Sequence, residues 1–388
     1  MRKEELLSTF KGNNKLPVYN WFYFTEAYSK ELVREIILKN PVKSKIPRLY
    51  DPFCGTGTSL LVAKEFGFES YGTDISFLMY LVSKGKCLNY NLKKIKKLFP
   101  KVLEIRNETL IIPNENKWIK KYFYSENLQQ ILKIKNNIDN LNEKEKYFFY
   151  VVLLKTIKIV SKARIQGADL RLRKIRKLDV SKKFTRIYNL FLKEYDKFCK
   201  KNNCEIEPEI LNESCFTFYK THERKFDYII CSPPYLNKTE YTKRFGIELA
   251  ILGQETILTN HLGHIKVKQD AKKDWLYLKY FAKQLSQIKT QDYKQKDYDA
   301  HQYFKQFEIF VEQSVNHLNK NGVLAIVIAG GVIGNTIFDI FDYLQELYLL
   351  NKLYISDIKI NREITANVKR TIKLGKIKEF TIVGRKIK

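Results

Sequence analysis

Two short segments combine residue types that could bind and modify a nucleotide, and the first of them is a glycine-containing turn. It spans residues 51–58, reads DPFCGTGT, and precedes an amphipathic helix, while Asp74 lies 23 residues after Asp51 at the end of the next strand-like run. Glycines let a ligand approach the backbone, and an acid at this spacing can accept hydrogen bonds from ribose hydroxyls. The pattern predicts a cofactor site. Because the segment is neither GxGxxG nor a P-loop with its lysine, a nicotinamide or ATP site is disfavoured.

The second segment is Ser232-Pro233-Pro234-Tyr235, directly after the apolar run FDYIIC. Consecutive prolines fix the backbone, so the carbonyl groups of this loop point in set directions. Ser232 Oγ and the Pro233 carbonyl can accept the two N–H bonds of an exocyclic amino group, and the Tyr235 ring can stack on a base. SPPY alone also fits a plain proline turn, but together with the first segment it predicts a site that acts on a base.

The elements that must position these segments follow an α/β rhythm. IPRLYDPF, SLLVAKEFGF and ESYGTDIS predict a strand, a helix and a strand, which together form a βαβ unit. Further along the chain, CEIEPEIL (Cys204 to Leu211), FDYIIC and GVLAIVIAG predict strands, and HQYFKQFEIFVEQSVNHL predicts a long helix. YISDIKI and EFTIVGRK predict a closing β pair. The expected fold is a doubly wound, Rossmann-like α/β sheet, mostly parallel with an antiparallel closing strand.

Two insertions interrupt this α/β domain, which we assign to residues 1–90 and 205–388. Residues 91–204 are rich in Lys, Leu, Ile, Tyr and Asn at helical spacing and contain no convincing β run, which predicts a large helical insertion. Residues 255–300 form a second, polar insertion rich in Lys and Gln. Both insertions are candidates for recognising the target of the protein.

The composition excludes several classes of protein. Of 388 residues, 44% are hydrophobic, which excludes a disordered chain, and the longest apolar stretch, residues 322–334, is shorter than a membrane helix. The charged N-terminus lacks the apolar core of a signal peptide. Six cysteines without a CxxC pair indicate neither a zinc site nor a disulfide framework. We therefore expect a cytoplasmic protein without metal or membrane contact.

The charge predicts a polyanionic partner. The 70 Lys and Arg against 42 Asp and Glu give +28 at pH 7, although abundant Lys, Asn and Ile are also typical of coding by an AT-rich genome. Residues 161–177 contain seven basic residues and one acid. This segment is predicted to face DNA through six of its basic side chains: Lys162, Arg164, Arg171, Arg173, Lys174 and Arg176. The alternative is a solvated basic helix face.

Taken together, the DPFCGTGT turn, Asp74 and SPPY after a buried strand resemble the S-adenosylmethionine-dependent DNA methyltransferases that modify exocyclic amino groups, giving N4-methylcytosine or N6-methyladenine. The resemblance covers roughly Lys15 to Cys87 and Cys204 to Lys388. It includes the segment from Tyr19 to Ser29 and the continuation from Tyr235 to Arg244. It implies S-adenosylmethionine as cofactor, double-stranded DNA as substrate and, in many such enzymes, a cognate restriction endonuclease as partner.

The resemblance also implies roles for individual residues. The cofactor would be held by Phe24, Thr25, Asp51, Pro52, Phe53, Gly55, Gly57, Thr58 and Asp74. Phe24 and Thr25 would meet its methionine end and Asp74 its ribose. The acid and small residue that hold the adenine edge in many relatives are replaced here by Asn212-Glu213-Ser214-Cys215, so Glu213 or Ser214 would serve. Ser232, Pro233, Pro234 and Tyr235 would hold a base that has been flipped out of the duplex.

Several functions remain open at this point. Within the family, SPPY favours cytosine N4 over adenine N6. The same fold could also methylate RNA bases, or the chain could be a catalytically silent DNA-binding protein. A nucleotide-dependent dehydrogenase is disfavoured, because nothing in the sequence resembles a hydride-transfer site.

Overall fold

The computed structural model describes residues 7–104, 110, 114–166, 169–202, 204–236, 244–254, 262–263, 274–293, 299–368 and 372–387. The α-helices in these ranges are α1 (Lys30–Lys39), α2 (Thr58–Phe66), α3 (Phe77–Cys87), α4 (Leu92–Leu103), α5 (Ser125–Asp139), α6 (Lys146–Val160), α7 (Val180–Lys201), α8 (Cys215–Thr221), α9 (Gly246–Leu252), α10 (Leu276–Ser286), α11 (Ala300–Asn316) and α12 (Phe341–Leu350). Short 3₁₀ helices span Phe10–Asn13, Tyr19–Trp21, Asn114–Tyr122 and Thr290–Asp292. The strands are β1 (Arg48–Asp51), β2 (Glu69–Thr73), β3 (Ala163–Gln166), β4 (Asp169–Leu172), β5 (Glu209–Leu211), β6 (Phe226–Cys231), β7 (Leu318–Ala329), β8 (Gly331–Ile333), β9 (Thr336–Phe338), β10 (Leu353–Val368) and β11 (Ile372–Lys386).

A seven-stranded sheet in the order β10-β11-β7-β6-β1-β2-β5 forms the centre of the molecule. The five strands from β7 to β5 run parallel to one another, while β11 pairs antiparallel with both β7 and β10. The strand order reverses beside β1, and this switch point is where open α/β sheets bind ligands, beyond the carboxyl ends of the strands. The predicted Rossmann-like α/β fold with an antiparallel closing strand is therefore confirmed.

Local sequence explains where the elements nearest this switch point begin and end. Every residue of β6 is buried, as expected for a parallel strand covered on both faces. Helix α2 lies between Gly57 and Gly67, both with positive φ, and Gly67 ends it in the left-handed conformation common at helix C-termini. Ser76 and Ser214 cap α3 and α8 by accepting hydrogen bonds from backbone N–H groups of the first turn. These caps and turns place loops at the carboxyl edge of the sheet.

The large insertion shares one apolar core with the sheet. Leu60 and Leu81, on helices that cover the sheet, belong to the same buried cluster as Val151 and Phe184 from the insertion. Helix α6 packs across α3 at Gly85, where an added Cβ would lie 2.1 Å from Val151 Cγ2 and 2.5 Å from the Tyr147 carbonyl oxygen. The insertion is thus built into the α/β domain by close helix packing.

The structure corrects several details of the predicted elements. The strand predicted over Cys204 to Leu211 is limited to β5, its last three residues. The insertion is mostly helical, but β3 and β4 form an antiparallel hairpin within it, where no strand was predicted. The predicted closing pair is β10–β11, which is much longer than expected. The second insertion contributes α10 and a 3₁₀ turn, and much of residues 255–300, like residues 237–243 of the SPPY continuation, lies outside the described residues.

Within the part of the chain that the structure describes, every helix is too short or too polar to cross a membrane.

The close crossing at Gly85 has a measurable effect on stability. We expect Gly85→Ala to lower the free energy of unfolding by about 1–3 kcal/mol, because the added methyl group overlaps Val151 and the backbone of α6. Lys84→Ala on the same helix is the control and should cost less than about 1 kcal/mol, since Lys84 only places its ammonium over the Tyr80 and Tyr147 rings. Urea unfolding followed by circular dichroism measures both, and equal stability of the two variants would contradict the packing.

Candidate active site

The glycine turn after β1 has a backbone shape that favours glycine at two positions. Gly55 and Gly57 have φ of +50° and +75°, a region that other residues rarely adopt. A Cβ at Gly57 would also lie 2.6 Å from Cys87 Sγ, and a Cβ at Gly55 would touch the Phe24 ring at 3.7 Å. The turn is therefore wedged between α3 behind it and Phe24 in front of it.

Asp51 holds this turn from behind. Its side chain is 1% exposed, and its Oδ1 accepts a hydrogen bond from the Phe53 N–H at 3.1 Å. Its Oδ2 accepts from Tyr28 Oη at 2.8 Å and from Ser59 Oγ. Burial raises the pKa of Asp51 to about 6, against the opposing effect of these hydrogen bonds. Asp51 thus links the N-terminal segment, the turn and α2.

Asp74 follows β2 and faces the space above the turn. Its Oδ2 accepts from the Gly55 N–H at 2.9 Å and its Oδ1 from the Ser76 N–H at 2.8 Å. The backbone of Asp74 is held by Asn212, whose Nδ2 donates to the Asp74 carbonyl at 2.8 Å. Burial raises the pKa of Asp74 to about 6. Each carboxylate oxygen keeps a second lone pair, so Asp74 can still accept hydrogen bonds from a ligand.

A buried cation that the sequence did not predict lies beneath the same turn. Lys86, on α3, is 1% exposed and donates from Nζ to the Thr56 carbonyl at 2.7 Å. Burial lowers its pKa to about 8. Lysine is rarely fully buried without a partner, so a buried lysine in a predicted helix was not foreseeable from pattern alone. Lys86 fixes the outer end of the turn from below.

The SPPY loop after β6 is anchored by side chains from distant parts of the chain. Tyr303, on α11, donates its hydroxyl proton to the Pro234 carbonyl at 2.9 Å. Tyr235 Oη donates to Glu379 Oε2 at 3.3 Å, and Glu379 is 1% exposed. Arg362 holds that carboxylate with two hydrogen bonds, at 3.1 and 2.7 Å. The sequence did not predict roles for Tyr303, Glu379 or Arg362.

One cavity of about 360 Å³ joins the turn, the acid and the SPPY loop. Most of the predicted site residues line it: Phe24, Thr25, Pro52, Phe53, Gly55, Thr58, Asp74, Glu213, Ser214, Ser232, Pro233, Pro234 and Tyr235. Asp51 and Gly57 do not line it, contrary to prediction, because they stand behind the turn and shape it. The two segments singled out from the sequence therefore face one space.

Several buried polar atoms in this wall have no partner in the described residues. Of six such side-chain atoms, four belong to lining residues: Ser8 Oγ, Thr56 Oγ1, Thr58 Oγ1 and Glu213 Oε1. A buried polar group without a hydrogen bond costs about 1–3 kcal/mol, so four of them in one wall indicate a polar ligand. Ser214 differs, because its hydroxyl accepts from the Thr217 N–H at 3.1 Å as a helix cap. Glu213 is therefore the better candidate of the pair for holding an adenine edge.

A charged bridge closes one side of the cavity. Arg244 donates from Nη1 to Thr25 Oγ1 at 2.6 Å and to Glu26 Oε1 at 2.7 Å. Thr25 in turn donates to Glu26 Oε2 at 2.5 Å. The N-terminal segment and the segment after SPPY are thus tied together at the mouth of the site.

The predicted DNA-facing residues lie on the β3–β4 hairpin, at Lys162 just before it and in the extended segment after it. Arg164 and Arg171 stand opposite each other in the two strands, and both are exposed. Lys162 places Nζ over the Tyr124 ring at 4.9 Å, while Arg173 donates from Nη2 to the Lys158 and Ser161 carbonyls at 3.3 and 3.1 Å. Lys174 and Arg176 are exposed. The described residues of 161–177 form β3, β4 and extended chain, so the alternative of a basic helix face is wrong for them.

Known proteins similar to this chain are methyltransferases. No protein-family model matches the chain. The Type II methyltransferase M.BsoBI of Geobacillus stearothermophilus is 26% identical over 282 residues, which is 64% of this chain and 55% of that protein. M.AvaI of Anabaena variabilis is 27% identical over 65% of this chain and 58% of its own length, and M.MvaI of Kocuria varians is 28% identical over 60% and 56%. The chain thus spans little more than half the length of these relatives.

Similarity to solved structures is weak. TehB from Haemophilus influenzae aligns with a TM-score of 0.33 and 9% identity, covering 94% of this chain and 64% of that one. The rRNA methyltransferase AviRa from Streptomyces viridochromogenes aligns with a TM-score of 0.30 and 8% identity, covering 99% and 93%. Alignments at this level add no argument to the strand order, on which the fold assignment rests.

Proposed function

We propose that this protein is a site-specific DNA methyltransferase that transfers a methyl group from S-adenosylmethionine to the exocyclic N4 of a flipped-out cytosine. The observation that carries the proposal is the single cavity in which the glycine turn and Asp74 face the SPPY loop. Similarity to Type II methyltransferases supports it. Membership of a restriction-modification system, with a cognate restriction endonuclease as partner, is part of the same proposal.

The wall of the cavity fits the cofactor on the side of the turn. Asp74 would accept from the ribose hydroxyls, Glu213 from the adenine amino group, and Phe24 and Thr25 would meet the methionine end. The unpartnered hydroxyls of Ser8, Thr56 and Thr58 would take the remaining polar contacts. When bound, S-adenosylmethionine supplies a methyl group activated by its sulfonium, which is a good leaving group.

The SPPY loop would make the exocyclic amino nitrogen, which is a weak nucleophile, more reactive by accepting hydrogen bonds from it. Its lone pair is conjugated into the ring, so an enzyme gains most by stabilising the charge-developing form of the nitrogen. Tyr303 already occupies the Pro234 carbonyl, which leaves Ser232 Oγ and the Pro233 carbonyl as acceptors for the two N–H groups. Accepting these bonds stabilises the positive charge that grows on nitrogen as its bond to carbon forms. As the nitrogen–carbon bond forms, the methyl–sulfur bond would break with its electron pair staying on sulfur, and one amino proton would pass to solvent water.

Tyr235 would hold the base in place for this step. A base inside a duplex is out of reach and has to rotate into a pocket, where an aromatic ring can stack on it. The Tyr235 hydroxyl is held by Glu379, and Arg362 holds Glu379, so the ring is oriented before a base arrives. Preorganisation of this kind lowers the entropy that binding must remove.

Adenine N6 is the second candidate target. The acceptor pair of Ser232 and Pro233 suits either exocyclic amino group, and the preference for cytosine rests on the serine before the prolines.

The product identifies the function and the base together. Purified protein incubated with unmodified plasmid DNA and S-adenosylmethionine should yield N4-methylcytosine, detected by mass analysis of the nucleosides. Ser232→Ala should slow transfer by about 100-fold, because one of two acceptors for the developing charge is lost. Thr217→Ala, on α8 and outside the lining of the cavity, is the control and should leave the rate nearly unchanged. Only N6-methyladenine would overturn the choice of base, and methylated RNA with unmodified DNA would overturn the DNA assignment.

Cofactor affinity should depend on pH through Asp74. As the pH falls through about 6, Asp74 takes up a proton and loses part of its capacity to accept hydrogen bonds, so binding of S-adenosylhomocysteine should weaken. Calorimetric titration with S-adenosylhomocysteine over about pH 5 to 8, a range on both sides of this pKa, measures the effect. In Asp74→Asn, affinity should be lower at neutral pH and its pH dependence should be reduced; the part that remains comes from Asp51, whose pKa is also raised to about 6. An unchanged pH profile in the variant would contradict the role of Asp74, and no binding by the wild-type protein would favour a catalytically silent protein.

A further inference from the structure

A second cavity lies beside the first and has no role in the proposed chemistry. Its volume is about 600 Å³, and it is formed by α6, the β3–β4 hairpin and α9 with the residues before it. Three residues line both cavities: Thr25, Arg244 and Phe245. The two spaces are therefore neighbours across the bridge that Arg244 makes to Thr25 and Glu26.

The lining of this cavity is strongly cationic. Lys155 and Lys158 come from one face of α6, since they are three residues apart, and Arg164 and Arg173 come from the hairpin and its exit. Arg244 is the fifth cation. The single acid in the lining is Glu248, which is 8% exposed and whose pKa burial raises to about 7. Arg244 is paired with Glu26, so four cations are left beside one acid whose pKa is raised.

The protein leaves most of this charge unpaired. Among the described residues, no carboxylate oxygen lies within 4 Å of the charged nitrogens of Lys155, Lys158, Arg164 or Arg173. Lys155 Nζ donates to the Asn20 carbonyl at 3.3 Å, and Lys158 Nζ lies over the Tyr23 ring at 5.3 Å. Burial lowers the pKa of Lys155, which is half-buried, while Lys158, Arg164 and Arg173 are exposed. Exposed cations that converge on one cavity attract an anion.

We propose that the second cavity binds a sugar–phosphate unit of the DNA strand next to the flipped-out base. This inference rests on the proposed function. A base that rotates into the first cavity stays attached to its backbone, so a flanking phosphate must lie at the mouth of that cavity. The cations would bind the phosphate, and the apolar walls, which include Ile165, Leu170 and Ile247, would pack against the sugar.

Arg173 is positioned at the edge of this cavity by hydrogen bonds to the backbone. Its Nη2 group is used by the Lys158 and Ser161 carbonyls, which ties the hairpin exit to the end of α6. Its remaining N–H groups are available for a phosphate, because a guanidinium carries five. The hairpin would thereby place the strand relative to the base pocket and contribute to positioning, while base recognition would fall to other contacts.

The test compares two double variants of equal charge loss. Lys155→Gln/Lys158→Gln removes two cations of the cavity, and Lys93→Gln/Lys96→Gln removes two exposed lysines of α4 that line neither cavity. The target site is first located by sequencing treated DNA for methylated bases. The probe is a duplex that carries this site. We expect the first variant to bind it about tenfold more weakly, with a salt slope smaller by about 1, and the second to change little.

A DNA probe with one uncharged backbone linkage shows which phosphate the cavity binds. Replacing a phosphate that flanks the target base by methylphosphonate should weaken binding by the wild-type protein about tenfold at one position, and have no further effect on Lys155→Gln/Lys158→Gln. Lys158→Gln alone, at an exposed position, should show a smaller effect of the same kind. Unchanged affinity for S-adenosylhomocysteine checks that the variants are folded.

The outcomes separate the two proposals. Wild-type transfer of methyl groups to DNA, combined with equal binding by both double variants, would overturn the phosphate site and leave the proposed function intact. Equal methylphosphonate effects in the wild-type protein and the first variant would do the same. Absence of methyl transfer to DNA by the wild-type protein would overturn both.

Discussion

The buried carboxylate of Asp51 joins the parts from which the site is built. Its two oxygens take hydrogen bonds from the backbone of the turn, from α2 through Ser59 and from the N-terminal segment through Tyr28. A carboxylate buried in this way is stable only while its donors stay in place. Asp51 holds the turn together with Asp74, which accepts from the Gly55 N–H, and Lys86, which donates to the Thr56 carbonyl. Asp51 shapes the cavity without lining it.

Burial shifts the pKa values of the acidic and basic groups around the turn towards neutrality. The pKa values of Asp51 and Asp74 are raised to about 6, and that of Lys86 is lowered to about 8. All three groups are therefore charged at neutral pH, but by narrow margins. Charges of this kind give the turn a defined electrostatic field before a ligand binds.

The sequence predicted those parts of the structure whose backbone conformation is set by a few neighbouring residues. DPFCGTGT and SPPY impose their own backbone shapes, and the buried strands that precede them, β1 and β6, follow from short apolar runs. It failed where partners come from distant segments. Lys86, Tyr303, Glu379 and Arg362 act through pairings that no local pattern reveals. The β3–β4 hairpin was missed although its strands alternate apolar and polar residues, because each strand has only 4 residues, too few to stand out from the helical pattern around them.

The pairing of β2 with β5 has a consequence for the order of folding. These strands are neighbours in the sheet, with Thr73 opposite Leu211, yet the whole helical insertion separates them in the chain. Asp74 is held at its backbone by Leu211 and Asn212, so its final position depends on residues that leave the ribosome long after it. Contacts between such distant residues form slowly, since the intervening loop must first be ordered. Asp74 therefore reaches its final position only once β5 has joined the sheet beside β2.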